Sequence, residues 1–211
     1  MIADCFTFHE KSYSCLVMDY IHTAEKQARH NLSLVKELVK LHQCTSEQYG
    51  LEFNNYLGVL DQSNNHHHDL FSFYSEERIS PQFEVAYDLG YLKNLKINLF
   101  FKNIKSLLPA NDIHLIHGDL WAGNVLYAKA GETYLIDPAI SYGHREFDLA
   151  MMTLFGGFDN EVFRKYNELM PLEKGWEDRT KLFQLYYLMA HLNMFGRSYE
   201  ASVSDIIKKY S

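Results

Sequence analysis

The sequence predicts an α+β fold, mainly α, with a small β-hairpin set between long helical segments. Three observations carry that expectation. Apolar residues recur at helical spacing over much of the chain, as in Leu34, Val35, Leu38, Val39 and Leu41. Short apolar runs ending in Gly-bearing turns cluster at residues 113–137. With 211 residues, 47% of them hydrophobic, the chain can bury one sizeable core, and neither a repeat nor a linker-like boundary divides it.

Taken in order, Ser14 to Ile21 is a short apolar run bounded by polar residues and reads as a buried strand. Thr23 is placed to cap a helix reaching about His42, with Glu25 in its first turn. Thr45 to Asp69 has no helical period, so a long ordered loop is expected there, packed down by Tyr49, Phe53 and Tyr56. His66, His67 and His68 are consecutive and their side chains diverge, which favours a solvated loop over a metal site. A helix should run from Asp69 to Ser80, because Pro81 disfavours helical geometry in the residue before it. Pro81 can open the next helix, which continues to Leu107 with Gly90 as its weak point. Further helices are expected at 146–155, stopped by Gly156 and Gly157, at 159–168 and at 199–210. Between them, residues 179–195 set Leu182, Leu185, Tyr186, Met189 and Leu192 on one helical face.

Composition narrows the function. Twenty basic against 27 acidic residues give a formal charge of −7, which argues against nucleic acid or an anionic membrane as partner. No apolar run is long enough to span a bilayer and no signal segment opens the chain. Cys5, Cys15 and Cys44 form no metal spacing and leave an odd count, as expected of reduced thiols in a cytoplasmic protein.

The stretch most specific for chemistry is Ile116-His117-Gly118-Asp119-Leu120-Trp121-Ala122-Gly123-Asn124, followed by Leu135-Ile136-Asp137-Pro138. Strands are expected at its start, at Val125 to Tyr127 and at Thr133 to Ile136. Two strand-end loops on this hairpin scaffold would then present Asp119, Asn124 and Asp137. Two carboxylates and an amide suit Mg²⁺, a hard cation that takes oxygen ligands and completes its shell with phosphates and water. Either triplet alone reads as a turn or a strand terminus. Together, in this order and spacing, they match the kinase catalytic apparatus, with one Asp at the attacking hydroxyl and the Asn and second Asp on metal.

The chain resembles the fructosamine kinase (ketosamine-3-kinase) family, related to aminoglycoside phosphotransferases and sharing the protein-kinase-like fold. The resemblance rests on the stretch above and on Tyr142-Gly143-His144-Arg145-Glu146-Phe147-Asp148-Leu149-Ala150-Met151. Leu154-Phe155-Gly156-Gly157-Phe158 and the segment from Gln184 to Asn193 extend it, and it covers nearly the whole chain.

The resemblance implies a carboxy-terminal catalytic lobe over residues 23–211 and a hinge-strand remnant of an amino-terminal lobe over 1–22. It implies ATP-dependent phosphorylation of a ketosamine, as a small molecule or as a glycated protein amine, with ATP and Mg²⁺ as cofactors. Asp119 would be the catalytic base, and Asn124 and Asp137 would hold the metal-nucleotide complex. The backbone of Asp19, Tyr20 and Ile21 would face the adenine. Trp121 and His117 would meet the substrate, although a lone Trp fits a core equally well. Asp148 would brace the catalytic loop or complement a helix dipole.

The departure from the family pattern lies upstream. No Gly-rich loop precedes the hinge strand, and Lys11 has no preceding helix to supply a Glu partner. An absent amino-terminal lobe is therefore expected to impair activity unless it is supplied in trans. Two alternatives stand beside the ketosamine kinase: a non-catalytic binding or self-associating module, and a phosphotransferase acting on an aminoglycoside, choline or another small alcohol.

Overall fold

The computed structural model describes residues 5–10, 13–110 and 112–211; Lys11 and the side chain of Cys5 lie outside the described residues. Helices make up about half of the chain, and four two-stranded sheets are set among them. The β component is therefore larger than the single expected hairpin.

The expected strand ends at Met18, where β2 (Tyr13–Met18) pairs antiparallel with β1 (Cys5–Glu10), and it is not buried as expected: Leu16, Val17 and Met18 are exposed. The following segment is not helical as far as Gln27. Thr23 instead bridges Ala128, and the Ala24 N–H donates to the Tyr127 carbonyl at 2.8 Å. With those groups committed, α1 (Ala28–His42) starts four residues later than the Thr23 cap predicts, and a reciprocal Gln27–His30 capping box opens it.

The expected loop after α1 is ordered around a hairpin, β3 (Asn55–Leu57) and β4 (Leu60–Gln62). Tyr49 is buried and stacks on Phe73, whereas Phe53 and Tyr56 face solvent rather than packing down. His67 pairs with Glu77 at 2.8 Å and His68 contacts Gln48, consistent with a loop rather than a metal cluster.

Pro81 falls in the first turn of the next helix, as expected, but the helical course is continuous ahead of it. A short α2 (Leu70–Ser72) passes through a π-helical turn (Phe73–Ile79) into α3 (Ser80–Asp88). A proline lacks an N–H and crowds the carbonyl four residues back; the wider turn ahead of Pro81 accommodates both. The predicted continuation to Leu107 breaks at Gly90, whose φ of 82° ends α3, and α4 (Ile97–Ile104) forms separately.

Strands β5 (His114–Ile116) and β8 (Ser141–Gly143) pair antiparallel, a partnership unseen in the sequence. β6 (Val125–Tyr127) and β7 (Thr133–Leu135) form the expected hairpin, and a 3₁₀ turn (Ala122–Asn124) leads into β6. Four helices follow: α5 (Glu146–Leu154), α6 (Asn160–Leu169), α7 (Trp176–Phe195) and α8 (Glu200–Lys209).

Two apolar clusters share α5. Phe147, Ala150 and Met151 pack with Tyr74 and α7, while Leu149 and Met152 pack with α1, β6, β7 and Tyr166. Every residue from Glu146 to Met152 is buried, Asp148 completely so. α7 is not one-sided as its spacing suggested. Residues 182–190 are all buried, the state expected of a helix enclosed on every side.

Candidate active site

β5 delivers the chain into the loop His117–Trp121, and β7 delivers it into Ile136–Ala139. The two loops are joined by backbone hydrogen bonds: Ala139 N–H to the His117 carbonyl at 2.9 Å, and Ile136 N–H to the Asn124 carbonyl at 3.0 Å. Gly118 makes this approach possible. It has φ 79°, and a Cβ there would lie 2.1 Å from the Ala139 carbonyl oxygen.

Asn124 lies between the other two predicted residues, bonded to Asp119 and to the backbone of Asp137. The Asn124 amide donates to the Asp119 carbonyl at 2.9 Å, to its carboxylate Oδ2 at 3.2 Å and to the Asp137 carbonyl at 3.4 Å. Asp137 has φ 49°, a left-handed backbone that non-glycine residues rarely adopt; such strain concentrates at functional sites. Burial pushes the Asp119 carboxyl up to about 6. The Asn124 hydrogen bond opposes this shift, and the negative charges of Asp148 and Asp137 add to it.

Behind the loop, Asp148 is fully buried and accepts the backbone N–H groups of His117 (2.8 Å) and Gly118 (2.9 Å). The His42 Nε2–H donates to its Oδ2 at 3.1 Å, and the Tyr166 hydroxyl lies 2.6 Å from the other ring nitrogen. Burial alone would raise the Asp148 carboxyl; these donors override it and hold the group below its ordinary value. Asp148 thus contacts the His117–Trp121 loop directly rather than only a helix dipole.

Sequence reasoning missed His42, although it continues the Leu34–Leu38 stripe of α1 at the next i+4 position. It also gave no role to Arg78, a buried cation held by the side chains of Asn64 (2.7 Å) and Ser141 (3.1 Å). From Asn64 the network runs through Asn55 to Gln62, which Tyr186 also contacts at 2.8 Å. It ends on the Ala139 and Ile140 carbonyls behind the Asp137 loop. No local spacing signals a network assembled from five separate elements.

Two cavities flank the loops. A cleft of about 410 Å³ is walled by Leu16, Met18, Leu41, Leu115 and Ile136, with Asp137 at its edge. Asp19, Tyr20 and Ile21 follow directly after β2, and Tyr20 is 82% exposed. A second cavity of about 600 Å³ is lined by Asp119, Trp121, Leu57, Phe155, His191 and Phe195. Trp121 is therefore a pocket residue, 42% exposed, and its ring covers Gly123 so closely that a Cβ there would clash at 2.2 Å.

His117, expected at the substrate, lines the apolar cleft on the Asp137 side. Its ring is 2% exposed, hydrogen-bonded through Nε2 to the Ile136 carbonyl at 2.9 Å, and kept neutral by burial. It ties the two loops together from inside.

Among the described residues no cluster of three or more His, Cys, Asp or Glu side chains is suited to a metal. What the loops present is one carboxylate, Asp137, and one amide, Asn124, beside Asp119. An all-oxygen set of this size fits Mg²⁺, which keeps several positions for phosphate and water.

A sequence model described as "Fructosamine kinase" matches residues 4–211. The chain is 39% identical over 215 residues to a probable ketoamine kinase of Enterococcus faecium, covering 99% of this chain and 76% of that protein. A crystal structure from Thermobifida fusca, designated a fructosamine-3-kinase, superposes with a TM-score of 0.86 at 32% identity, covering 97% of this chain and 72% of that one. The choline kinase LicA from Streptococcus pneumoniae superposes with a TM-score of 0.58 at 15% identity, over 99% of this chain and 74% of that one, a likeness of fold alone.

Proposed function

Because the chain belongs to the fructosamine kinase family, we propose that it phosphorylates a ketosamine with ATP, the phosphoryl donor that membership of a kinase family implies. One observation carries the reading: Asn124 ties Asp119 and Asp137 into a single cluster set between an apolar cleft and an aromatic-lined pocket.

Asp119 lines the pocket, where it would accept the proton of the attacking sugar hydroxyl. A carboxylate whose proton affinity is raised toward neutrality is matched to that task, because it is deprotonated at neutral pH yet basic enough to take a proton. Asn124 and Asp137 would hold Mg²⁺, which when bound neutralises charge on the nucleotide phosphates. Asp148 fixes the loop through two backbone N–H groups, so the position of Asp119 depends on a buried anion. Leu16, Met18 and Leu41 offer apolar walls to a purine, with the backbone of Asp19 to Ile21 as its hydrogen-bonding edge. We read residues 23–211 as the catalytic lobe and 1–22 as the strand segment at its hinge. The acceptor is a sugar adduct of a small amine or of a protein amine.

The test is ADP release from ATP, by the chain alone and with an amino-terminal lobe added, with a fructosamine or ribulosamine as acceptor, beside choline and kanamycin. Turnover with the ketosamine alone, abolished by EDTA and restored by Mg²⁺, is expected. Turnover only with choline or kanamycin, or turnover indifferent to EDTA, would overturn the reading.

A further inference from the structure

The pocket beside Asp119 holds an imidazole that the phosphoryl-transfer chemistry leaves unused. His191 on α7 lines this cavity together with Asp119 and Trp121. Its ring is set among three others, with centroid separations of 4.8 Å to Phe155, 5.4 Å to Phe195 and 5.2 Å to Tyr199. All three of those residues line the same cavity. The ring's Nδ1 lies 2.8 Å from the Tyr187 carbonyl, which can only accept. Nδ1 therefore carries the hydrogen, and in the neutral ring Nε2 is left as an acceptor. Burial lowers the proton affinity of His191, which favours that neutral form.

The cavity's chemistry is one-sided. Asp119 is its one charged side chain, and the rest of its lining is aromatic rings, His191, two methionines, Leu57 and Gly58. Ring faces and hydrogen-bond acceptors without a competing cation form an environment for a positive charge. A ketosamine carries one, because its secondary amine is protonated at neutral pH and presents two N–H donors.

With a ketosamine as acceptor, the reading on which this inference rests, we propose that His191 is a specificity-determining residue: its Nε2 accepts an N–H of the acceptor's protonated amine, which lies against the rings of Phe155, Phe195 and Tyr199. The pocket thus selects the amine linkage itself and not only the sugar.

The experiment compares a 1-alkylamino-1-deoxyketose with its 1-O-alkyl ether, an uncharged analogue of the same shape. Both are measured as substrates by ADP release and as ligands by Trp fluorescence. The native chain should prefer the amine at least about tenfold in kcat/KM, the scale of one hydrogen bond to a charged group. His191→Phe keeps the ring and removes the acceptor; it should lower kcat/KM for the amine about thirtyfold and leave the ether within about threefold. His191→Gln restores an acceptor and should recover part of the preference, with melting temperature as the check on folding. Equal losses for both compounds in His191→Phe, or no preference in the native chain, would overturn the inference while leaving the kinase reading intact. Turnover and binding of neither compound by the native chain would overturn both.

Discussion

Asp119 and Asp148 are the same residue type on opposite sides of one loop, and the protein treats them in opposite ways. Asp119 stands at the pocket with one amide donor and two like charges nearby, and its carboxyl rises to about 6. Asp148 is the more deeply buried, yet its carboxyl falls below the ordinary value, because His42 and two backbone N–H groups hold the charged form. Burial by itself does not decide the state of a carboxylate; the donors arranged around it do. The protein therefore has one carboxylate available for proton transfer and another that serves as a fixed anion.

The comparison predicts opposite consequences when each is removed. Asp119→Asn should cut kcat roughly 10²–10⁴-fold, the range for losing a general base. Its folding stability should hold or rise above pH 6, since the variant no longer keeps a poorly solvated charge there. Equilibrium urea unfolding beside steady-state kinetics checks both halves. Asp148→Ala should destabilise the protein by about 3 kcal/mol, because two N–H groups and a histidine lose their buried partner. A loss of activity without a change in urea midpoint would show that Asp148 does not brace the loop as drawn.

Gly118→Ala comes next, at about 2 kcal/mol, because its Cβ must displace the Ala139 carbonyl from a backbone with φ 79°. Thermal melting reads the stability, and activity should fall with it as the Asp119 and Asp137 loops separate. Tyr186→Phe is the smallest, about 1 kcal/mol for one hydroxyl lost from Gln62, with kcat nearly unchanged.

pH sharpens the contrast further. With Asp119 as the proposed base, kcat/KM should fall as pH drops through about 6, tenfold per unit once below it. The stability linkages run in opposite directions. Asp119 binds its proton more tightly folded than unfolded, so its cost is present above pH 6 and fades as pH falls toward the unfolded carboxylate value. Asp148 binds its proton less tightly when folded, so its contribution is full above the unfolded value and is lost as pH falls through its lower folded one. A pH–stability curve of Asp119→Asn against the parent isolates the first effect.

Much of this site was legible before any coordinates. Asp119, Asn124 and Asp137 sit on short loops at fixed spacing, and local chain geometry is enough to bring two of them within reach of a third. Helices with strong caps or stops, such as α5 ahead of Gly156 and Gly157, were legible for the same local reason.

Errors came where a distant partner overrode a local preference. Thr23 left its cap for Ala128. The sequence by itself determined which side chains could do chemistry and which loops would carry them. Only the tertiary structure decided their states: that Asp148 stays charged against His42, that Arg78 lies buried among neutral oxygens, and that His191 shares a cavity with Asp119. Those pairs are separated by 63 to 106 residues or are drawn from different helices and hairpins. Solvation and hydrogen bonding are properties of the packed neighbourhood, which no local pattern encodes.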